Sequence, residues 1–244
     1  SFPTRRSSDL VPMATQRLQP TEAVAGTSLQ VAFGGDNVRL SGQIDYSSQY
    51  PADRGFPLIF IIQHATCNSR MGYRHYATVG MEAGCAVFRW DKRGTGSSGG
   101  GGGGSVHIDT LSAYKAALTQ PAIDPKRIIV IAQNEGTLLL SELYDSMAEM
   151  QRPAGVLLAG NMLDEKAILK INTRVHIVTS KNDWNAWQIY AAAASESHSR
   201  FYKQDATYYV APNTNRRLMY TNGGTFHLGA ANSIRDWLYA VCDS

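Results

Sequence analysis

Residues 128–131 read Ile-Ile-Val-Ile, and apolar side chains then recur at Leu138, Leu139, Leu140, Leu143, Tyr144 and Met147. A β-branched run of that length suits a strand covered on both faces, and the second set has the spacing of a buried helix face. The same pairing of short apolar runs with helix-spaced segments extends along the chain. Residues 28–33 and 37–46 predict two strands around the turn Gly34-Gly35-Asp36, and 58–62 predicts a buried strand ending at Gln63-His64. A helix over 73–83 closed by Gly84, a strand over 85–90, and a helix over 108–118 that stops short of Pro121 come next. After the strand 128–131 and its helix to residue 150, the pattern predicts strand 155–159, a short helix near 164–169, strand 174–179, helix 184–197, strand 207–210 and a last helix over 227–241.

Strand and helix taking turns imply an α/β class: a mainly parallel sheet of about eight strands with helices on both faces, the initial hairpin forming its antiparallel edge. Only residues 161–172 separate two successive strands, which leaves no room for a cap domain, so a site on this frame should be open. One domain is expected over 28–244, with 1–27 as an artefactual or disordered tail. Its first ten residues, SFPTRRSSDL, resemble a translated sequencing adapter and are set aside, so nothing follows from the lack of a leader.

Hydrophobic residues at 43% and charged residues at 18% fit a globular chain able to bury a large core. The net charge of +3 is scattered, without the basic stripe and interleaved aromatics of a nucleic-acid binder. Apolar runs are of strand length, so no membrane span is expected. Cys67, Cys85 and Cys242 are an odd set without metal-type spacing; they argue against a disulfide framework and point to a reducing, cytoplasmic location. The histidines show no zinc-type clustering, and the glycine run 99–104 lacks the Gly-Lys-Ser/Thr ending of a phosphate-binding loop, so no metal or cofactor is expected and the run reads as a flexible loop.

Candidate chemistry lies at the ends of the predicted strands. Gln63-His64-Ala65-Thr66 follows the third strand, and Asp91-Lys92-Arg93-Gly94-Thr95-Gly96-Ser97-Ser98 follows the fourth. Ala132, Asn134 and Gly136 are spaced two apart across the junction of 128–131 with its helix; Asp183 and His227 each precede a later helix. In these motifs and in their order the chain from about residue 28 resembles the α/β-hydrolase family, whose strand–elbow–helix turn carries Gly-x-Ser-x-Gly. The resemblance implies Asn134 at the nucleophile's place, Asp183 as the acid and His227 as the base. It also implies an oxyanion hole from the amide of Glu135 and that of Ala65 or Thr66. Asp183 reads equally as a helix N-cap, and a histidine opening a helix can be structural.

An asparagine carboxamide cannot attack a carbonyl as an activated serine does, so acyl-enzyme chemistry is not expected. Asparagine does tolerate the positive φ that an elbow imposes. Cys67 is a weaker substitute nucleophile, because it is off the elbow. Ala65, Ala132 and Gln133 also depart from the family's usual residues, which favours divergence over a single read error at position 134. Two functions follow from the resemblance: a nucleophile-dead member that binds a small acyl-type ligand, or an active hydrolase of small esters, amides or lactones in which His227 acts as general base on a water.

Overall fold

The structure is a computed structural model and describes residues 24–49, 51, 54–65, 69–100, 103–183, 187–204 and 206–243. Eight strands form one sheet: β1 (Ser28–Gly34), β2 (Arg39–Asp45), β3 (Phe56–Ile62), β4 (Ala86–Asp91), β5 (Ile123–Gln133), β6 (Gly155–Ala159), β7 (Arg174–Ser180) and β8 (Ala206–Ala211). Their order across the sheet is β1-β2-β4-β3-β5-β6-β7-β8. β1 and β2, and β2 and β4, pair antiparallel, and the remaining neighbours pair parallel. The helices are α1 (Arg74–Glu82), α2 (Val106–Leu118), α3 (Glu135–Gln151), α4 (Trp187–Tyr202) and α5 (Leu228–Cys242).

The fully apolar central strands are explained by two cores, one on each sheet face. Leu58, Phe60 and Ile62 of β3, with Ile128, Val130 and Ala132 of β5, pack under α2, α3 and α4. Their alternating neighbours Ile59, Ile61, Ile129 and Ile131 pack under α1 and α5. Over these segments β3 and β5 therefore bury both of their sides, as parallel strands between helical layers must. Among the described residues no helix is long and apolar enough to cross a membrane.

The elements follow the hydrophobic pattern, with shifts at their ends. β5 begins at Ile123 rather than 128, because the register with β3 resumes across an irregularity between Phe56 and Leu58. The short helix expected near 164–169 is a single 3₁₀ turn, Ala167–Lys170, started by Asp164, whose carboxylate accepts the amides of Lys166 and Ala167 at 3.0 and 2.7 Å. Part of the glycine run, residues 101–102, lies outside the described residues, as do 1–23, Thr66, Cys67 and Trp184.

The Asp-x-Arg-Gly-x-Gly-x-Ser loop after β4 is a clasp. Asp91 accepts the amides of Arg70 and Ser97 at 2.8 and 3.0 Å. Arg93 forks onto Asp109 of α2 with two contacts of 2.7 Å, and Asp109 also accepts the amide of Asp36 in the β1–β2 turn at 2.9 Å. One buried carboxylate thus joins the loop, α2 and the hairpin.

Candidate active site

The carboxyl ends of β3, β5, β6 and β7 meet at one edge of the sheet, the place where parallel α/β folds receive ligands. β5 runs straight into α3 through Asn134, whose φ of 50° and ψ of −118° are the torsions of a sharp strand-to-helix elbow. The amide of Asn134 donates to the Ala159 carbonyl at 2.9 Å, and its own carbonyl accepts from the Thr137 amide and hydroxyl at 2.8 and 2.7 Å. A non-glycine residue in so sparsely populated a region carries strain on the order of 1–3 kcal/mol and persists because its surroundings over-determine it.

Gly136 shows how close that packing is. A Cβ there would lie 2.8 Å from the Ile62 carbonyl oxygen and 2.9 Å from that of Gln63. Ala132, on the other side of the elbow, is fully buried against α3. Gly136→Ala is therefore expected to destabilise by about 1–3 kcal/mol through overpacking, despite the better helix propensity of alanine. Urea unfolding checks this, and a neutral or stabilising result would contradict the close approach.

Asn134 is fully buried, and among the described residues neither its Oδ1 nor its Nδ2 has a hydrogen-bond partner. Its side chain lies against Gly160, just past β6, where any Cβ would meet Asn134 Oδ1 and the backbone carbonyl of Arg216. Among the described residues there is no cap domain; the segment between β8 and α5 reaches the elbow's side chain, its Arg216 carbonyl lying beside Gly160. That segment is anchored by the buried side chain of Leu218 and by the bridges Thr214–Tyr220 and Met219–Phe226.

Asp183, just past β7, is nearly buried and receives Arg216 in a fork, Nε and Nη2 each at 3.2 Å from a carboxylate oxygen. His227 caps α5. Its Nδ1 accepts the amide of Ala230 at 3.0 Å, and its backbone amide donates to the Leu218 carbonyl at 2.9 Å. The 213–220 stretch thus stands against both residues, its Arg216 on Asp183 and its Leu218 on His227. Burial lowers the pKa of His227 below the ordinary value, so the ring is neutral at pH 7. With Nδ1 accepting, the proton of that neutral ring sits on Nε2. A triad histidine needs the opposite tautomer, with Nδ1–H donated to the acid and Nε2 ready to take the nucleophile's proton.

The structure assembles a second histidine and carboxylate at the mouth. His64 Nδ1 lies 3.0 Å from Glu135 Oε2, joining the loop after β3 to the first residue of α3. Lys92 Nζ donates to the His64 carbonyl at 2.7 Å, and the His64 amide donates to the Tyr73 hydroxyl at 2.7 Å. Burial holds the His64 imidazole below its usual pKa; Glu135 opposes this, and Arg217, Lys92 and Arg216 add to it. Ala65 is exposed beside this pair, and the Glu135 amide opens α3 without a partner inside the helix.

His64 and Glu135 lie far apart in the sequence, in separate motifs. Their meeting follows from the tight elbow, which brings the residue after it against the β3 loop. Gly160 and Arg216 carried no motif, and their roles come from long-range packing.

Eight mixed strands in this order, with the elbow after β5 and an acid past β7, define an α/β-hydrolase fold. No family model matches the sequence, and no match was found among curated proteins. Solved structures do match. Est1E from Butyrivibrio proteoclasticus, in a structure with bound ferulic acid, superposes with a TM-score of 0.67 at 15% identity over 88% of this chain and 100% of its own. The dienelactone hydrolase-like promiscuous phosphotriesterase P91 from metagenomic libraries has a TM-score of 0.64 at 14% identity over 89% and 98%. The esterase domain of a Rhodothermus marinus protein has 0.63 at 13% identity over 88% and 99%. At such identities the likeness establishes the fold.

Proposed function

We propose that this chain, as one domain over residues 28–244, is a diverged α/β-hydrolase-fold protein that binds a small acyl-type ligand and has no acyl-enzyme chemistry. The observation that carries the proposal is Asn134 at the elbow: the backbone keeps the torsions of a nucleophile turn while its side chain cannot act as the nucleophile. The engagement of Asp183 by Arg216, and of His227 Nδ1 by Ala230, supports it from the other two positions. In this reading the amides of Glu135 and of Ala65 or Thr66 receive the ligand's carbonyl oxygen. The ferulic acid held by Est1E, which shares the fold, is consistent with a small acyl compound. A cytoplasmic location belongs to the same proposal and rests on the odd cysteine count with Cys85 and Cys242 free.

The competing route, with His227 as general base on a water, needs the tautomer opposite to the one that the Ala230 amide selects. Short acyl esters and their acids separate the two. Wild type is expected to melt at a higher temperature with at least one of them, and to hydrolyse the esters no faster than His227→Ala. Turnover by wild type that His227→Ala abolishes would overturn the proposal in favour of the water route. A panel that shifts no melt would remove the ligand.

A further inference from the structure

Beside α1, between that helix and the antiparallel strands β2 and β4, lies a cavity of about 450 Å³. Its floor follows from the strand register. Gln43 of β2 stands directly opposite Arg89 of β4, and Val87, two residues before Arg89, shares that face of the sheet. α1 settles onto the same face through Gly80, where a Cβ would come 2.6 Å from Ile59 Cδ1 and 2.8 Å from Val87 Cγ2. The cavity lies on the β2 side of that contact. Its wall is the helix face of Arg74, Ala77, Thr78 and Met81, joined by Met71 from the 3₁₀ turn before α1.

Arg89, in the floor, is 5% exposed, and four of its five N–H groups are on nitrogens already engaged: Nη1 donates to the Arg70 carbonyl at 3.1 Å and Nη2 to Asp45 Oδ2 at 2.5 Å. Among the described residues its Nε–H has no partner. Asp45 does not supply one, since its Oδ1 already accepts from Ser28 and Gln43 at 2.6 and 2.5 Å. A buried guanidinium N–H without an acceptor is costly, and a ligand oxygen would remove that cost. The lining also sets the ligand's charge. Arg74 and Arg89 against Asp45 leave one positive charge uncompensated among the described lining residues, so a single negative charge balances the cavity. Met71, Ala77 and Met81 give the rest of the wall an apolar surface, and the unbranched methionines adapt to a chain of carbons.

We propose that this cavity binds a small monocarboxylate with a hydrocarbon tail. One carboxylate oxygen accepts from Arg89 Nε–H, the other meets the guanidinium of Arg74, which is exposed at the rim, and the tail lies along Met71, Ala77 and Met81. The volume is that of an ordinary small-molecule site, about 300–1,000 Å³. None of these residues belongs to the elbow, so the inference is independent of the function proposed above.

Hexanoate titrated into protein carrying ¹³C-methyl methionine tests this by NMR. The Met71 and Met81 signals, assigned through Met71→Leu and Met81→Leu, are expected to shift together and saturate. Met162, whose amide donates to Thr137 Oγ1 in α3, and Met219 of the 213–220 stretch report binding at the elbow separately. Arg74→Gln should weaken the Met71 and Met81 response by about ten- to a hundredfold, the worth of one charge-assisted hydrogen bond, and Arg74→Lys should weaken it less. Hexanamide, of the same shape without the charge, should bind at least about tenfold more weakly than hexanoate. Arg74 is exposed, and an unchanged signal from Met147, in the core, confirms that its variants are folded. No shift at Met71 and Met81 up to the solubility limit, an equal response to hexanamide, or an unchanged response in Arg74→Gln would each overturn the proposal. Shifts confined to Met162 and Met219 would overturn it too, while supporting a ligand at the elbow.

Discussion

Asn134→Ser alone is expected to remain near background toward short acyl esters and serine-directed fluorophosphonates, while Asn134→Ser with Arg216→Ala reacts faster by a factor of about 10²–10⁴, the usual range for a general base. Serine at 134 forfeits no hydrogen bond to the described residues, because the Asn134 carboxamide makes none with them. The elbow holds it at φ 50°, so a hydroxyl is delivered to the nucleophile's place. What is missing is the relay. Arg216 occupies the Asp183 carboxylate through Nε and Nη2, and its backbone carbonyl lies beside Gly160, against which the Asn134 side chain packs. Removing that guanidinium releases the Asp183 carboxylate. Pseudo-first-order labelling rates for the two variants, with circular dichroism to confirm folding, test this. Rapid labelling of Asn134→Ser by itself would mean that Asp183 and His227 already work together.

The largest stability effect is expected at the edge of the sheet, far from this chemistry. Asp45→Ala should cost about 3–5 kcal/mol, because it leaves the Arg89 guanidinium buried without its partner. The pair meets at 2.5 Å with both side chains about 6% exposed, and Ser28 and Gln43 also donate to Asp45 at 2.6 and 2.5 Å. Asp45→Ala with Arg89→Met should recover part of the loss, since no charge then remains buried. Burial raises the pKa of Asp45, but the hydrogen bonds from Ser28, Gln43 and Arg89 together outweigh it, so the carboxyl titrates below its ordinary value. A depressed carboxyl contributes stability that is present above its unfolded value and lost as pH falls through the folded one. Wild type should therefore lose stability below about pH 4 more steeply than Asp45→Ala. Parallel acid limbs in the two denaturation profiles would show that Asp45 is not held in this way.

Much of the frame could be read from the sequence because it rests on short-range pattern. Runs such as 58–62 and 128–131 have no polar side to give to water, so they lie between two helical layers, and the hairpin before them takes the antiparallel edge. The elbow was legible for a similar reason, since Ala132 and Gly136 are small where the chain turns sharply, and Asn134 tolerates the torsions. The state of the site was not. His227 heads a helix, a position equally suited to a base and to a cap, and only the Ala230 amide at 3.0 Å gives its Nδ1 the capping role. Asp183 could be read as an acid or an N-cap; its fork with Arg216 belongs to neither reading, and it depends on how the 213–220 stretch folds back. No local spacing encodes that fold-back.

The central claim is that the elbow survives without nucleophilic chemistry, and fluorophosphonate treatment of folded wild type followed by intact-protein mass measurement tests it most directly. No adduct is predicted, even at long incubation. A stoichiometric adduct on the wild-type chain would contradict the account.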